Sequence, residues 1–295
     1  MRTKGASGPG GGYDYHRIVS LVLFRTSGAE VDRAVSQILG SKISVHVVVV
    51  DNTQPPVPLP AYDPARVTVI RNASNLGYGS AHNRAIEASR GKAPYHLAMN
   101  TDLVMHDDVI ASLYRFMEGH PEAGLVMPKV YYPDGRTQYL CRLLPHPIDM
   151  LVRGLGRRSR WAARRNRRYE SRGWSHDSVR SFPFLSGCFM MFRSSILAQV
   201  GGFDERFFLY GEDIDISRRV HALAQTLFVP SARITHEYRS EAAGPRKQLQ
   251  KLVNISRYFN KWGWFIDRSR DSINARAVHG RWERDPSLAS RESAA

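Results

Sequence analysis

Between residues 17 and 121, short apolar runs alternate with stretches of helical spacing, and this alternation limits the folds open to the chain more than any other feature. RIVSLVLF (17–24), VHVVVVDN (45–52), RVTVIRN (66–72) and YHLAMN (95–100) are short and mostly apolar, the first three rich in Val and Ile, as buried strands are. AEVDRAVSQIL (29–39), GSAHNRAIEASRG (79–91) and HDDVIASLYRFMEGHP (106–121) have helical spacing, the second with a glycine stop. Strand–helix–strand units cross over right-handedly and build a mainly parallel sheet. The expected class is therefore α/β: a Rossmann-like, mostly parallel central sheet flanked by helices.

Such sheets bind ligands beyond the carboxyl ends of their strands. The polar residues stand there: Asp51 and Asn52 after one strand, Asn100 and Asp102 after another. The first half thus reads as a nucleotide-binding half-domain. It contains neither GxGxxG nor GxxxxGK[ST], which argues against dinucleotide oxidoreductases and P-loop NTPases. Its glycine cluster, NASNLGYGSAHNR, opens a helix, where backbone can approach a ligand and the helix N-terminus favours an anion. The same cluster also reads as an ordinary turn.

In the second half, VRSFPFLSGCFMMFRSSILAQVGGFDERF (179–207) starts strand-like and passes through a short helix to a Gly-Gly turn. EDIDISRRVHAL (212–223) is helical, with Ile214, Val220 and Leu223 facing inward and Glu212 and Asp213 at the N-terminus, where the macrodipole steadies negative charge. TLFVPSARITHE (226–237) is a last strand that carries His236. Glu212, Asp213 and Asp215 follow directly on Phe207, Phe208, Leu209 and Tyr210, although apolar surroundings penalise ionised carboxylates unless cations or hydrogen bonds compensate. Capping, or pairing of Asp215 with Arg218 or Arg219, accounts for such acids in many helices. Here, though, an Asp and a His at strand ends also suit Mg²⁺ or Mn²⁺, with phosphate and water as further ligands. Such a cation neutralises a leaving diphosphate, and a carboxylate held off the metal takes a proton from an attacking hydroxyl.

VVVVDN, NLGYGSAHN, NTD, SGCFMMFR and GGFDERFFLYGEDIDISRR followed by ITH closely resemble the family 2 glycosyltransferases, inverting enzymes of the GT-A fold. The resemblance covers roughly residues 17 to 265 and is strongest to the subset that makes bacterial O-antigen, capsule and rhamnose-rich glycans; YFNKWGWFID is also similar to that subset. It implies that Asp51 holds a pyrimidine base with Asn52 beside it, and that Phe24, Arg25 and Thr26 wall the base pocket. It places Leu76, Gly77 and Asn83 on the nucleotide side, Arg84 near the diphosphate and Gly187 by the donor sugar. Asn100, Thr101 and Asp102 occupy the DxD position, with Asp102 and His236 as metal ligands. Asp213 matches the catalytic base, with Glu212 beside it, while Phe208 and Tyr210 belong to an acceptor-side aromatic wall that partly dehydrates Asp213. The resemblance implies a nucleotide-diphosphate sugar donor, dTDP-rhamnose or a UDP-sugar, and as acceptor a hydroxyl of a glycan or polyprenyl-diphosphate-linked glycan in cell-surface polysaccharide synthesis. Two positions depart from the family pattern: NTD has one carboxylate where two are common, and the first strand ends FRT where Tyr-Asn is commoner.

A net charge of +15 and a pI near 10.1 raise a second possibility, a basic nucleic-acid-binding protein. Against it, the arginines concentrate in RGLGRRSRWAARRNRRYESR (153–172), while acids at the ligand edge repel a phosphate backbone. No nucleic-acid partner is expected. That basic run reads either as a solvated loop or as an interfacial anchor with Trp161 in it, each cation adding about 1 kcal/mol near an anionic leaflet. In residues 248–268, Leu249, Leu252, Val253, Phe259 and Phe265 form an apolar helix face flanked by Lys247, Lys251, Arg257 and Lys261, suited to a membrane surface or to packing on the core. No run of 18 apolar residues occurs, so no spanning helix is expected. Cys141 and Cys188 read as two reduced thiols of a cytoplasmic protein, at most peripheral on the inner face of the membrane. The expected organisation is a Gly-rich tail (1–14), a catalytic domain (15–240), a helical region (241–280) and a disordered tail (281–295). Within the domain, a nucleotide-sugar half (15–130) precedes an acceptor half (131–240) containing the basic insertion.

Overall fold

The computed structural model describes residues 17–155, 159–237 and 244–279; the expected tails at 1–14 and 281–295 lie outside the described residues. Strands β1 (Arg17–Leu23), β2 (His46–Asp51), β3 (Val67–Arg71) and β4 (Tyr95–Met99) lie side by side in the order β3-β2-β1-β4, all parallel. β2 is buried at every position and β1 at all but one, as the apolar runs require. Helices α1 (Gly28–Leu39), α2 (Tyr78–Ala88) and α3 (Val109–Glu118) connect this half.

The rest of the sheet comprises β5 (Leu103–His106), β6 (Ala123–Tyr131), β8 (Arg180–Ser181), β10 (Phe189–Arg193) and β11 (Gln225–His236), while β7 (Cys141–Arg142) and β9 (Phe184–Leu185) form a separate ribbon. β10 enters antiparallel between β4 and β6, β11 lies parallel to β6, and β5 closes the edge antiparallel to β11. The spacing had not revealed β5 or β6. Pro128 interrupts the apolar pattern of β6, and the pairing with β11 slips between Val229 and Arg233, beside it. Proline lacks a ladder donor and is tolerated at such a bulge.

Both reversals serve the ligand edge. Because β10 runs against β4, its beginning meets the end of β4, and the Asn100 N–H donates to the Cys188 carbonyl at 2.9 Å. Because β11 runs against β5, His236 pairs with Leu103 and lands beside Asp102.

The remaining helices are α4 (Pro147–Leu155), α5 (Arg160–Tyr169), α6 (Ser194–Val200), α7 (Glu212–His221), α8 (Pro245–Trp262) and α9 (Arg268–His279). α8 and α9 pack on the rest of the chain: Tyr258, Phe259 and Ile273 share a core cluster with Leu144, Phe184, Phe207 and Ile214. Each large apolar side chain buried there contributes about 1.5–3 kcal/mol. Arg218 of α7, 2% exposed, makes a two-pronged ion pair with Asp267 at 2.7 and 2.8 Å. Asp215 pairs with Arg219, as one sequence alternative had it, and also accepts from Trp262 Nε1 at 2.8 Å. Leu223, expected inside, lies past the end of α7 and is 53% exposed.

Candidate active site

A cavity of about 1010 Å³ opens beyond the carboxyl ends of the central strands, lined among others by Tyr78, Asn100, Gly187, Tyr210, Glu212, Asp213 and His236. At one side, His236 Nε2 lies 3.3 Å from the Asp102 carboxylate. Burial opposes ionisation of Asp102, yet the hydrogen bond and charge of His236 outweigh it and hold the carboxyl below its usual range. Gln138 steadies the end of β11 by donating to the His236 carbonyl at 3.0 Å. A carboxylate oxygen and an imidazole nitrogen facing each other suit a divalent cation of the Mg²⁺ or Mn²⁺ type. Among the described residues, no third His, Cys, Asp or Glu joins them, so diphosphate and water would supply the other ligands.

Asp213 stands on the first turn of α7. Its carboxylate accepts the Gly187 N–H at 3.2 Å and the Ile214 N–H at 2.9 Å. Burial raises its pKa, opposed by those N–H groups and by the charge of Arg142. Glu212, 4% exposed, has an oxygen without a hydrogen-bond partner, and burial followed by the Asp213 charge pushes its pKa well up. Burial thus disfavours the ionised form of both, and the Gly187 and Ile214 N–H groups favour that form at Asp213. The Tyr78 hydroxyl donates to the Gly187 carbonyl at 2.5 Å and feels the charges of both Asp213 and Asp102. Tyr78 and the loop Gly187–Cys188 thus lie between the two acid sites. The buried Cys188 thiol is pushed up to about 12 by burial and stays protonated.

The nucleotide end departs from expectation in its contacts. Asp51 ends β2 as read from sequence, but its carboxylate accepts the Thr53 and Val57 N–H groups, both at 2.8 Å, and so folds the loop that follows. Asn52 is buried and bonded to Asn72, Asn75 and the Gly77 carbonyl. Phe24, Arg25 and Leu76 are exposed at this edge with Thr26 half-buried, and the Arg25 N–H donates to Thr53 Oγ1. Gly77 has φ +86°, and a Cβ on it would stand 2.2 Å from the Phe208 carbonyl, so glycine is required there.

Thr101, Asn83, Arg84 and Phe208 are engaged elsewhere and do not line this cavity. Thr101 lies in the bend between β4 and β5 and donates to Glu30 at 2.6 Å. Asn83 lies more than a turn down α2, clamps the backbone of Phe203 at 2.8 Å and, with Arg84, lines a separate cavity of about 350 Å³. The FFLY run is no continuous wall: Phe207 enters the core and Phe208 docks its carbonyl on the Tyr78 N–H, leaving Leu209 and Tyr210 on the cavity.

Residues that carried no motif complete the cavity: Tyr139, Arg142, Arg153, Tyr169, Arg172 and Lys251. The basic run is therefore neither a loop nor uniformly free. Arg153 and Arg172 pair with Glu170, and Arg165 pairs with Asp149 at 2.6 Å, while Arg164, Arg167, Arg168 and Trp161 are exposed on α5. On α8, Leu249, Leu252 and Val253 are exposed and Phe259 is buried, so Phe259 leaves the apolar face read from the sequence; the Lys247 side chain lies outside the described residues.

A parallel nucleotide-side sheet, an antiparallel strand bringing a loop to its edge, and an Asp–His pair near a buried acid pair define a glycosyltransferase of the GT-A fold. The model of glycosyl transferase family 2 matches residues 22–201, and the chain belongs to that family. The alternative of a nucleic-acid-binding protein gives way to this membership.

The chain is 33% identical over 189 residues to N-acetylglucosaminyl-diphospho-decaprenol L-rhamnosyltransferase of Mycobacterium tuberculosis, in strains CDC 1551 / Oshkosh and ATCC 25618 / H37Rv. That alignment spans 58% of this chain and 58% of the relative's length. Among solved structures it is similar to GalNAc-T7 with UDP, GalNAc and Mn²⁺, with TM-score 0.61 and 15% identity over 84% of this chain and 49% of that one. The mannosyltransferase PcManGT of Pyrobaculum calidifontis with GDP-Man and Mn²⁺ gives TM-score 0.52 and 14% identity over 96% and 80%. S. aureus TarS gives 0.54 and 13% over 89% and 43%. At these identities the solved structures show the fold alone.

Proposed function

We propose that this protein is an inverting, metal-dependent glycosyltransferase that moves a sugar, rhamnose from dTDP-rhamnose or a hexose from a UDP-sugar, to a hydroxyl of a lipid-linked glycan. The observation that carries this reading is the buried, raised carboxyl of Asp213, separated from the Asp102–His236 pair by the Gly187 loop. Asp213 takes the proton of the acceptor hydroxyl as its oxygen bonds to the anomeric carbon. The bond from that carbon to the diphosphate oxygen breaks on the opposite face, and the electron pair leaves with the diphosphate. Asp102 and His236 would hold Mg²⁺ or Mn²⁺, which when bound supplies Lewis-acid neutralisation of the leaving charge. Phe24, Arg25, Thr26 and Leu76 flank the nucleobase at the edge that Asp51 and Asn52 shape from beneath. The relative's name supports a polyprenyl-diphosphate-linked GlcNAc acceptor and a rhamnosyl donor. Incubation with a panel of nucleotide sugars and a GlcNAc-diphospho-polyprenol should give one transfer product, with the new linkage of opposite anomeric configuration to the donor. A product of retained configuration, or none with any pyrimidine nucleotide sugar, would overturn the reading.

The acceptor also supports work at a membrane surface. Among the described residues no helix is long and apolar enough to cross a membrane, but exposed Trp161, Arg164, Arg167 and Arg168 share one helix. Sedimentation with anionic liposomes should fall steeply as salt rises through the physiological range, since the Debye length there is about 8 Å. Neutralising Arg164, Arg167 and Arg168 together should release the protein. Equal sedimentation with neutral and anionic liposomes would instead point to the exposed Leu249, Leu252 and Val253 of α8.

A further inference from the structure

One wall of the cavity carries more positive charge than its neighbours balance. Arg142, Arg153, Arg172 and Lys251 reach it from β7, α4, the turn after α5 and α8. Glu170 answers two of them, at 2.6 Å from Arg153 and 2.5 Å from Arg172. Arg142 and Lys251 have no carboxylate within ion-pair distance among the described residues: Arg142 Nε donates to the Tyr139 carbonyl at 3.0 Å, and Lys251 Nζ lies 5.7 Å from the centre of the Tyr210 ring. The guanidinium groups of Arg142 and Arg153 lie 6.0 and 5.3 Å from the centroid of one buried ring, Tyr169. Burial, then the charges of Arg153 and Arg142, lower the pKa of Lys251. Crowded cations in a partly dry wall cost free energy that a bound anion restores.

We propose that Arg142, Arg153 and Lys251 form a subsite for the diphosphate of the acceptor, the group joining its first sugar to the polyprenyl chain. This deepens, and rests on, the reading of the acceptor as a lipid-linked sugar diphosphate. Asp213, Arg142, Arg153 and Lys251 line one cavity, so a sugar with its hydroxyl at Asp213 presents its anomeric phosphate to the cations. Leu252, beside Lys251, and its neighbours Leu249 and Val253 are exposed on α8 and give the polyprenyl chain an apolar course away from the cavity. The other diphosphate of the reaction, the donor's, has its place at Asp102 and His236.

Calorimetry on the full chain separates the two sources. Farnesyl diphosphate should bind the wild-type protein at least about tenfold more tightly than farnesol. Lys251→Gln, at an exposed helix position, and Arg153→Gln should each weaken farnesyl diphosphate about tenfold, and Lys251→Arg should restore it. UDP and dTDP affinities, measured with Mn²⁺, should change less than about twofold in the same variants. A loss that falls on the nucleotides assigns the cluster to the donor and overturns the proposal, and so does unchanged farnesyl diphosphate binding in both Gln variants. Neither measurement needs turnover. Binding that depends on Lys251 in a protein that glycosylates only diphosphate-free glycans therefore upholds the anion site and overturns the acceptor reading.

Discussion

Asp213→Asn is expected to cut kcat at least about a hundredfold while leaving donor affinity and the fold in place, because a positioned base contributes about 10²–10⁴-fold and Asn keeps the shape. The amide oxygen can still accept one of the two N–H groups that hold the carboxylate now, that of Gly187 at one oxygen or that of Ile214 at the other. Burial disfavours the ionised form of Glu212, and Gln keeps its shape, so the effect of Glu212→Gln on kcat should be small. The pH profile adds a sign. Transfer needs Asp213 ionised and burial raises its pKa, so kcat should decline with acidification at a higher pH than an ordinary aspartate would cause. The residual rate of Asp213→Asn should lack that limb. Near-normal turnover in Asp213→Asn with a collapse in Glu212→Gln would move the base one residue back.

Chelation should be as severe. Neutralising a leaving diphosphate is worth several kcal/mol, and each 1.36 kcal/mol is tenfold in rate, so excess EDTA should remove at least about a hundredfold of activity, and added Mn²⁺ should return it. Asp102→Ala should reproduce the loss and resist rescue. His236→Ala should be milder, because water or phosphate can take the place of its nitrogen. Full activity in excess EDTA would sink the metal assignment.

The strands and helices of the nucleotide half were legible because each is a short local pattern: β1, β2, β3 and β4 match their apolar runs to within a residue or two. β6 was not, since Pro128 breaks its run where tertiary pairing supplies a bulge. α5 was hidden by an arginine content that reads as loop until Tyr169 and Ala162 are seen to be buried. At the site, the motifs located residues better than contacts. Asp51 and Asn52 stand at the right edge but spend their polar atoms on the loops, and Thr101 faces the opposite way from its neighbours. Arg142 carried no signal, and Arg153 and Lys251 were legible only as part of a basic run and of a helix flank, because the three converge from three elements with no spacing in common. What the sequence did convey about Asp213 was its company, three acids behind an aromatic run. The choice of Asp213 among the three came from the resemblance; the structure adds that Asp215 is spent on Arg219, Lys261 and Trp262.

Those partners tie α7 to the C-terminal segment from both its first and its last turn. Its first turn presents Asp213 to the cavity, while Arg218 and Asp215 anchor it to Asp267, Lys261 and Trp262 of the C-terminal segment. A chimera that borrowed α8 and α9 from a relative without an acid at the Asp267 position would strand a buried guanidinium, at about 3–5 kcal/mol, under the helix that carries the base. Lys251, on the same borrowed helix, would change at the same stroke. On the proposed reading, an exchange of α8 and α9 would therefore disturb the base and part of the acceptor subsite at once.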